Sequence, residues 1–372
     1  MKLALVRQRY NPYGGAERFI ERAVAALERE GAEVALIARE WRGQARRVLE
    51  VNPFYIGRWW RDAGFARAAR AAWERAGFSL VQSHERIPGA SVYRAGDGVH
   101  GQWLEHRARY APMPERVSIA LNPYHSYVCA AEKAMFEHPA LRAVICNSNM
   151  VRGEILRHFS IAEDKLHVIY NGVDLEHFHP HQRQRLRQQA RAQIGAAERC
   201  HLLLFAGSGF ARKGLATVLR ALAASADRAL RLAIAGVDRS QPKFERLAAS
   251  LGLGDRVAFL GGQDDMRRCY AAADLLVLPT LYDPFPNVVL EAMAMGVPVI
   301  ISNQCGAAEL ITHSANGWVC APQDPQRLAE VIQQAREPEA ARRVGAAARR
   351  SVEPLGLQVM AAALLALYRR LA

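Results

Sequence analysis

The chain has 372 residues, 51% hydrophobic and 23% charged, which is ordinary globular material and enough for two domains. No apolar run approaches the roughly 20 residues that span a bilayer, and the opening MKLALVRQRY reads as a first strand rather than a signal-peptide core. The formal charge of +13 asks for an anionic partner, and nucleic acid, a membrane surface and a phosphorylated substrate are all open at this point.

Leu3–Val6 is the first strand, Asn11 to Gly15 a turn, and Ala16 to Glu30 an amphipathic helix with Phe19, Ile20, Ala23, Val24 and Leu27 on one face. Strand, glycine turn and helix point backbone N–H groups at a phosphate, although the pair Gly14 and Gly15 also suits any turn that needs positive φ. Gly31 ends the helix and Val34–Ile37 is a second strand. Between residues 39 and 75 nine arginines stand against four acids, interleaved with Trp41, Trp59, Trp60, Phe65 and Trp73. That stretch reads either as solvated helix faces over core aromatics or as a surface lying on anionic lipid headgroups. Further strands are expected at Leu80–Ser83, Ser91–Ala95 and Ala143–Asn147, the last followed by a helix capped by Ser148 or Asn149. Residues 101–140 read as long, helical and aromatic, without metal-ligand spacing. Lys165–Tyr170 is a strand, a linker falls around 171–182, and the polar, basic segment 181–199 is expected on the surface.

In the second half, strands are expected at His201–Ala206, Leu230–Ala235, Val257–Leu260, Leu275–Leu278, Val297–Ile301 and Trp318–Cys320. Helices fall at 214–224, 242–251, 265–272, 287–295, 306–312 and 325–336, with a final helix at 355–372. Continuous apolar strands such as LLLF and LLVL imply burial on both faces, and the alternation implies parallel sheets with crossover helices. The six cysteines, Cys129, Cys146, Cys200, Cys269, Cys305 and Cys320, lack C-x-x-C spacing and read as free buried thiols in a reducing cytoplasm.

Three places carry candidate chemistry. Gly207-Ser208-Gly209-Phe210-Ala211-Arg212-Lys213-Gly214 sits at a strand-to-helix turn, where cations oppose the helix dipole and so need another reason. Fixed cations and N–H dipoles there would stabilise the charge that develops on a departing diphosphate. In LYDPFPNVVLEAMAMG the prolines around Phe285 delay the helix to about Asn287. Asp283 in the loop and Glu291 one turn into the helix can border one pocket, or can merely suit the dipole. Asp97 and His100 stand in a glycine-rich loop after a strand, either as ligand-binding groups or as a turn Asp and a solvated His.

G-S-G-F-x-x-K-G, then acid-x(7)-E some 70 residues later, then G-x-P-V, resembles the retaining nucleotide-sugar glycosyltransferases of family 4. Y-N-P-Y-G-G-A-E-R at 10–18 is similar to the glycine loop of the same family, so the resemblance runs over nearly the whole chain. Within the family, I-P-G-A-S-V-Y-R-A-G-D at 87–97 is similar to the glucosyltransferases of the lipopolysaccharide core. The resemblance implies an α/β chain of GT-B fold, with two doubly wound Rossmann-like domains facing a central cleft. Residues 1–173 would bind the acceptor, residues 174–353 the nucleotide sugar, and the helix 354–372 would cross back to the first domain.

On this pattern Glu291 binds the ribose hydroxyls, and Asp283 binds the donor sugar with help from the segment Phe285, Pro286, Asn287 and Val288. The family usually has glutamate where Asp283 stands, one methylene longer, which bears on the sugar. Arg212 and Lys213, with Gly207, hold the diphosphate from one domain, and Gly14 and Gly15 from the other. Asp97 lies near the anomeric carbon and the acceptor, with His100 beside it. The resemblance implies no cofactor and no metal, since two fixed cations do a metal's electrostatic work. The implied donor is UDP-glucose and the acceptor a lipid-linked saccharide such as the lipopolysaccharide core. The protein would work in the cytoplasm, peripherally on the anionic inner-membrane face. Nucleic acid is excluded, because the arginines are dispersed and no recognition motif is present. A nucleotide-sugar epimerase on the same scaffold is the alternative.

Overall fold

The computed structural model describes residues 2–8, 31, 33–41, 47–197 and 199–372. The turn at Asn11 to Gly15, with Gly14 and Gly15, and the helix expected at Ala16 to Glu30 lie outside the described residues. Two compact units form, Met1–Asn171 with Gln358–Ala372, and Gly172–Leu357. Their boundaries fall a few residues from 173/174 and 353/354. The Val173 N–H donates to Leu355 O at 2.9 Å and Val173 pairs with Gly356, which ties both flanking segments into the second unit.

The first unit is built on a parallel sheet of seven strands: β1 (Lys2–Val6), β2 (Glu33–Ala38), β3 (Val48–Glu50), β4 (Leu80–Ser83), β5 (Val92–Ala95), β6 (Ala143–Cys146) and β7 (Leu166–Val168). Their order is β3-β2-β1-β4-β5-β6-β7. Helix α1 (Gly57–Ala76) lays Phe65, Ala69 and Trp73 on Ala4, Val6, Ile37 and Val81. The aromatic stretch therefore divides. Trp41, Phe65 and Trp73 are core, whereas Phe54, Ile56, Trp59 and Trp60 remain 74, 69, 63 and 47% exposed.

The long helical stretch is three helices, α2 (His100–Tyr110), α3 (Met113–Ala120) and α4 (Pro123–Phe136). Pro112 precedes α3 and Pro123 opens α4; a proline lacks the N–H a helix interior needs and pushes its predecessor out of the helical region. Ser148 caps α5 (Asn149–His158), accepting from Val151 N at 3.2 Å. The C-terminal helix, Leu357–Leu371, belongs to this unit; it buries Met360, Leu364, Leu367 and Tyr368, and the Tyr368 hydroxyl donates to Gln82 of β4.

The second unit has a parallel sheet of six strands: β8 (His201–Ala206), β9 (Leu230–Ala235), β10 (Val257–Gly261), β11 (Leu275–Leu278), β12 (Val299–Ser302) and β13 (Trp318–Cys320), in the order β10-β9-β8-β11-β12-β13. Strands β8 and β11 are buried along almost their whole length. The helix of segment 181–199, α6 (Pro180–Gln193), is not simply a surface element. It docks through Arg183, Arg187 and Arg191, one turn apart, which donate to the carbonyls of Ala271, Ala272 and Ala273 and to the Asp274 carboxylate. Those carbonyls close helix α9 (Met266–Ala272), reached after α7 (Leu215–Ala224) and α8 (Gln241–Ser250); guanidinium groups suit the negative end of a helix.

After α10 (Asn287–Ala294), the helix expected at 306–312 is a short 3-10 turn at Gly306–Leu310, and α11 (Pro325–Ala335) follows β13. A further helix, α12 (Pro338–Val352), stands where none was expected. Gly345 of α12 lets it pack closely, since a Cβ there would lie 2.4 Å from Gly296 O. All six cysteines are free; five are buried and Cys129 is half-buried. No described helix is long and apolar enough to cross a membrane.

Candidate functional site

In the second sheet the chain winds outward from β8 through β9 and β10, then returns to pair β11 against the other side of β8. Such a reversal leaves a crevice at the carboxyl ends of the two central strands. The loops leaving those ends are residues 207–214 and 279–286, and they are laced together. The Leu281 N–H donates to Arg212 O at 2.7 Å, and the Thr280 hydroxyl donates to the same oxygen at 3.0 Å. Two glycines make the approach possible. Gly207 has φ +112°, and a Cβ there would meet Lys213 Cε at 2.8 Å; Gly214 has φ +84°, and its Cβ would meet Pro279 O at 2.1 Å.

The lacing brings Arg212, Lys213 and Asp283 into one charged cluster. Lys213 Nζ donates to Asp283 Oδ2 at 2.9 Å, and Arg212 Nη1 lies 3.3 Å from the same oxygen while donating to Tyr282 O at 2.6 Å. Lys213 and Asp283 are both buried. Burial alone would raise the Asp283 carboxyl, but the charges and hydrogen bonds of Lys213 and Arg212 outweigh it and hold the group below the usual carboxylate range. The cluster is two cations against one anion, so it keeps an excess positive charge for an incoming anionic ligand.

Helix α10 begins at Asn287, directly after Pro286, and carries Glu291 into its second turn. Phe285 and Glu291 are buried, and Asn287 and Val288 are half-buried. Glu291 Oε2 accepts from the Tyr270 hydroxyl of α9 at 2.8 Å. Tyr270 was not singled out from the sequence, and its spacing from Glu291 follows no motif.

Asp97 and His100 belong to the first unit. Asp97 is exposed, in the turn after β5 beside Gly98 at φ +68°. His100 opens α2, and its N–H donates to both oxygens of Glu132, each at 2.9 Å. Glu132, also missed in the sequence, is 1% exposed and accepts from Arg86 Nε at 2.7 Å. His100 Nε2 lies 3.0 Å from His125 Nδ1. Burial, then Arg86 and His125, push the His100 imidazole down to about 4, so it is neutral at pH 7. Among the described residues no group of three or more His, Cys, Asp or Glu side chains is placed to hold a metal.

Two family models match the chain, Glycosyltransferase Family 4 over residues 13–177 and Glycosyl transferases group 1 over residues 187–351. The chain is 26% identical over 343 residues to the lipopolysaccharide glucosyltransferase WaaG of Escherichia coli (strain K12), covering 90% of this chain and 89% of that protein. It is 28% identical over 391 residues to a D-inositol 3-phosphate glycosyltransferase of Streptomyces scabiei, covering 95% of this chain and 86% of the relative. The crystal structure of WaaG, described as a glycosyltransferase involved in lipopolysaccharide biosynthesis, superposes with a TM-score of 0.86 at 25% identity, over 98% of this chain and 99% of that one. With one family model matched in each half of the chain and one solved structure superposing over 98% of it, the chain belongs to the retaining glycosyltransferases of family 4, GT-B enzymes that use nucleotide-sugar donors.

Proposed function

We propose that this enzyme moves a hexose, glucose, from UDP-glucose to a lipid-linked saccharide of the lipopolysaccharide-core type, with retention of configuration and without a metal. The observation that carries the reading is the Arg212–Lys213–Asp283 cluster at the switch point of the second sheet. In this reading the diphosphate takes over the two cations, and Asp283, released from them, accepts hydrogen bonds from the donor sugar. Glu291 holds the ribose hydroxyls, with Tyr270 fixing its carboxylate. The bond from the anomeric carbon to the β-phosphate oxygen breaks, and the acceptor oxygen bonds the same face of that carbon. The acceptor proton passes to the departing diphosphate. Asp97 and His100 stand on the acceptor side.

The lipopolysaccharide role is supported by the full-length likeness to WaaG. The anionic cytoplasmic face of the inner membrane is supported by Phe54, Ile56, Trp59 and Trp60, exposed beside Arg58 on one stretch of chain. The test is a mass-spectrometric screen of nucleotide sugars against truncated lipopolysaccharide cores. UDP-glucose should be consumed with the acceptor, and Lys213→Ala and Glu291→Ala should each abolish transfer. Transfer that survives both substitutions sinks the site, and isomerisation of the donor without acceptor establishes an epimerase instead.

A further inference from the structure

The first sheet has a switch point of its own, between β1 and β4, where β2 and β3 lie to one side and β5 to β7 to the other. A cavity of about 170 Å³ opens there. Gln8 reaches it from the end of β1, Glu85 and Arg86 from the end of β4, Arg61 and Asp62 from α1, and Tyr124 and Tyr127 from α4. Each charge in this wall is already answered. Arg61 Nε donates to Asp62 Oδ1 at 2.6 Å, Arg86 Nε to Glu132 Oε1 at 2.7 Å, and Arg7 stands 3.5 Å from Glu85. Asp62 also accepts from Gln8 Nε2 at 3.2 Å and from the Tyr124 hydroxyl at 2.8 Å.

The arginines and carboxylates of this wall are matched in pairs, so the cavity offers an anion no excess positive charge to offset the loss of its hydration. A neutral, hydroxyl-rich ring can instead donate to the carboxylates, accept from the guanidinium groups and lie against tyrosine rings. The Tyr127 hydroxyl has no hydrogen-bond partner among the described residues, which leaves a polar group in the wall for a ligand to satisfy. The volume lies below the roughly 300–1,000 Å³ of pockets for drug-sized ligands, so it suits one ring. The far side of Tyr127 meets Trp59, ring centroids 6.2 Å apart, and Trp59 is one of the exposed aromatics.

We infer that this cavity binds one uncharged sugar ring of the acceptor, with Asp62 and Tyr127 as its hydroxyl partners. The ring then sits one aromatic contact away from the surface on which Trp59 and Trp60 meet lipid, the arrangement a lipid-linked saccharide requires. The assignment deepens the acceptor side of the function proposed above and rests on it.

The test is saturation-transfer NMR of the full chain with methyl glucopyranoside and methyl heptopyranoside, and with inorganic phosphate as the charged competitor. Ala131→Phe fills the cavity from α4 without touching an ion pair, and Tyr127→Phe removes a single oxygen. UDP binding, a property of the second unit, reports that each variant is folded. The expected result is glycoside binding to the wild type, lost in Ala131→Phe and weakened about fivefold in Tyr127→Phe, the worth of one hydrogen bond. Should Ala131→Phe fail to fold, Tyr127→Phe decides. No glycoside binding to the wild type, unchanged binding in the folded variants, or displacement of the glycoside by phosphate overturns the assignment. Glycoside binding as expected in a protein that never consumes UDP-glucose would overturn the donor reading and leave the cavity standing.

Discussion

Lys213→Met removes the buried charge of the cluster and keeps the length of the side chain. The Lys213 and Asp283 side chains are each 9% exposed and 2.9 Å apart. At an effective dielectric of about 20 this separation is worth about 6 kcal/mol of Coulomb attraction, most of it offset by desolvation. Breaking a buried pair from one side costs about 3–5 kcal/mol because the remaining charge is stranded. Arg212 stays 3.3 Å from the same carboxylate oxygen, so the loss should be about half that, roughly 2 kcal/mol. Activity should fall further, because a fixed group that stabilises charge only in the transition state is worth about 10²–10³ in kcat. Adding Asp283→Asn should return much of the stability and none of the activity. Asp283→Asn alone should bind UDP more tightly than the wild type, since the cations no longer have an internal rival. Urea unfolding, calorimetric UDP binding and single-turnover sugar transfer read the three quantities. A Lys213→Met enzyme with kcat within about threefold of wild type would refute the argument, since a loss that small is no transition-state contact.

Three other outcomes are expected. Gly207→Ala should lose about 1–3 kcal/mol of stability, because φ +112° strains any side chain, and should lower kcat by pushing Lys213 away; unchanged kcat would show that the position of Lys213 is not needed. In Asp274, burial raises the carboxyl, but the Leu202 N–H, Arg187 and His201 outweigh it and hold it below the usual range. Its contribution is therefore present above the unfolded value of about 3.9 and is lost as pH falls through the lower folded value. Asp274→Asn should flatten that acid limb in urea titrations, and a limb of unchanged slope would contradict the assignment. Trp59→Ala and Trp60→Ala should leave stability within about 0.5 kcal/mol, as exposed positions do, yet weaken sedimentation with anionic vesicles; undiminished sedimentation would remove the membrane surface from the reading.

Much of the fold is legible because burial on both faces of a parallel sheet leaves an uninterrupted apolar run. HLLLFA at β8 and LLVL at β11 can hardly be read another way, and both stand where expected. Two of the failures, at α6 and α12, share a cause, which is burial achieved with few large apolar side chains. Helix α6 has no apolar stripe because Arg183, Arg187 and Arg191 dock it through carbonyls that no periodicity reveals. Helix α12 buries Val344, Gly345, Ala348 and Val352, a stripe made half of glycine and alanine, which reads as neutral. The breaks at Pro112 and Pro123 did have a signal, in the prolines themselves.

The candidate site is a different case, because Arg212, Lys213 and Asp283 can be singled out one by one in the sequence and their contact cannot. Lys213 and Asp283 are 70 residues apart, a separation the family pattern contains without saying that the two side chains touch. What connects them is strand order: Leu203 of β8 pairs with Leu275 of β11, so the loops that follow must emerge side by side. The sequence pattern alone therefore suggests cations for the phosphate and a carboxylate for the sugar as separate tasks. The geometry couples them. While Asp283 neutralises one cation, the cluster is only singly positive, and Oδ2 of the carboxylate is shared by Lys213 and Arg212. In the proposed function, a diphosphate that captured Arg212 and Lys213 would free Asp283 Oδ2 as the attached sugar arrived, so donor binding and sugar recognition would be one exchange of partners. A shorter acid suits this role, since aspartate reaches the lysine from the loop, as the 2.9 Å bond shows, with its backbone held between Gln304 O and the Gly306 N–H.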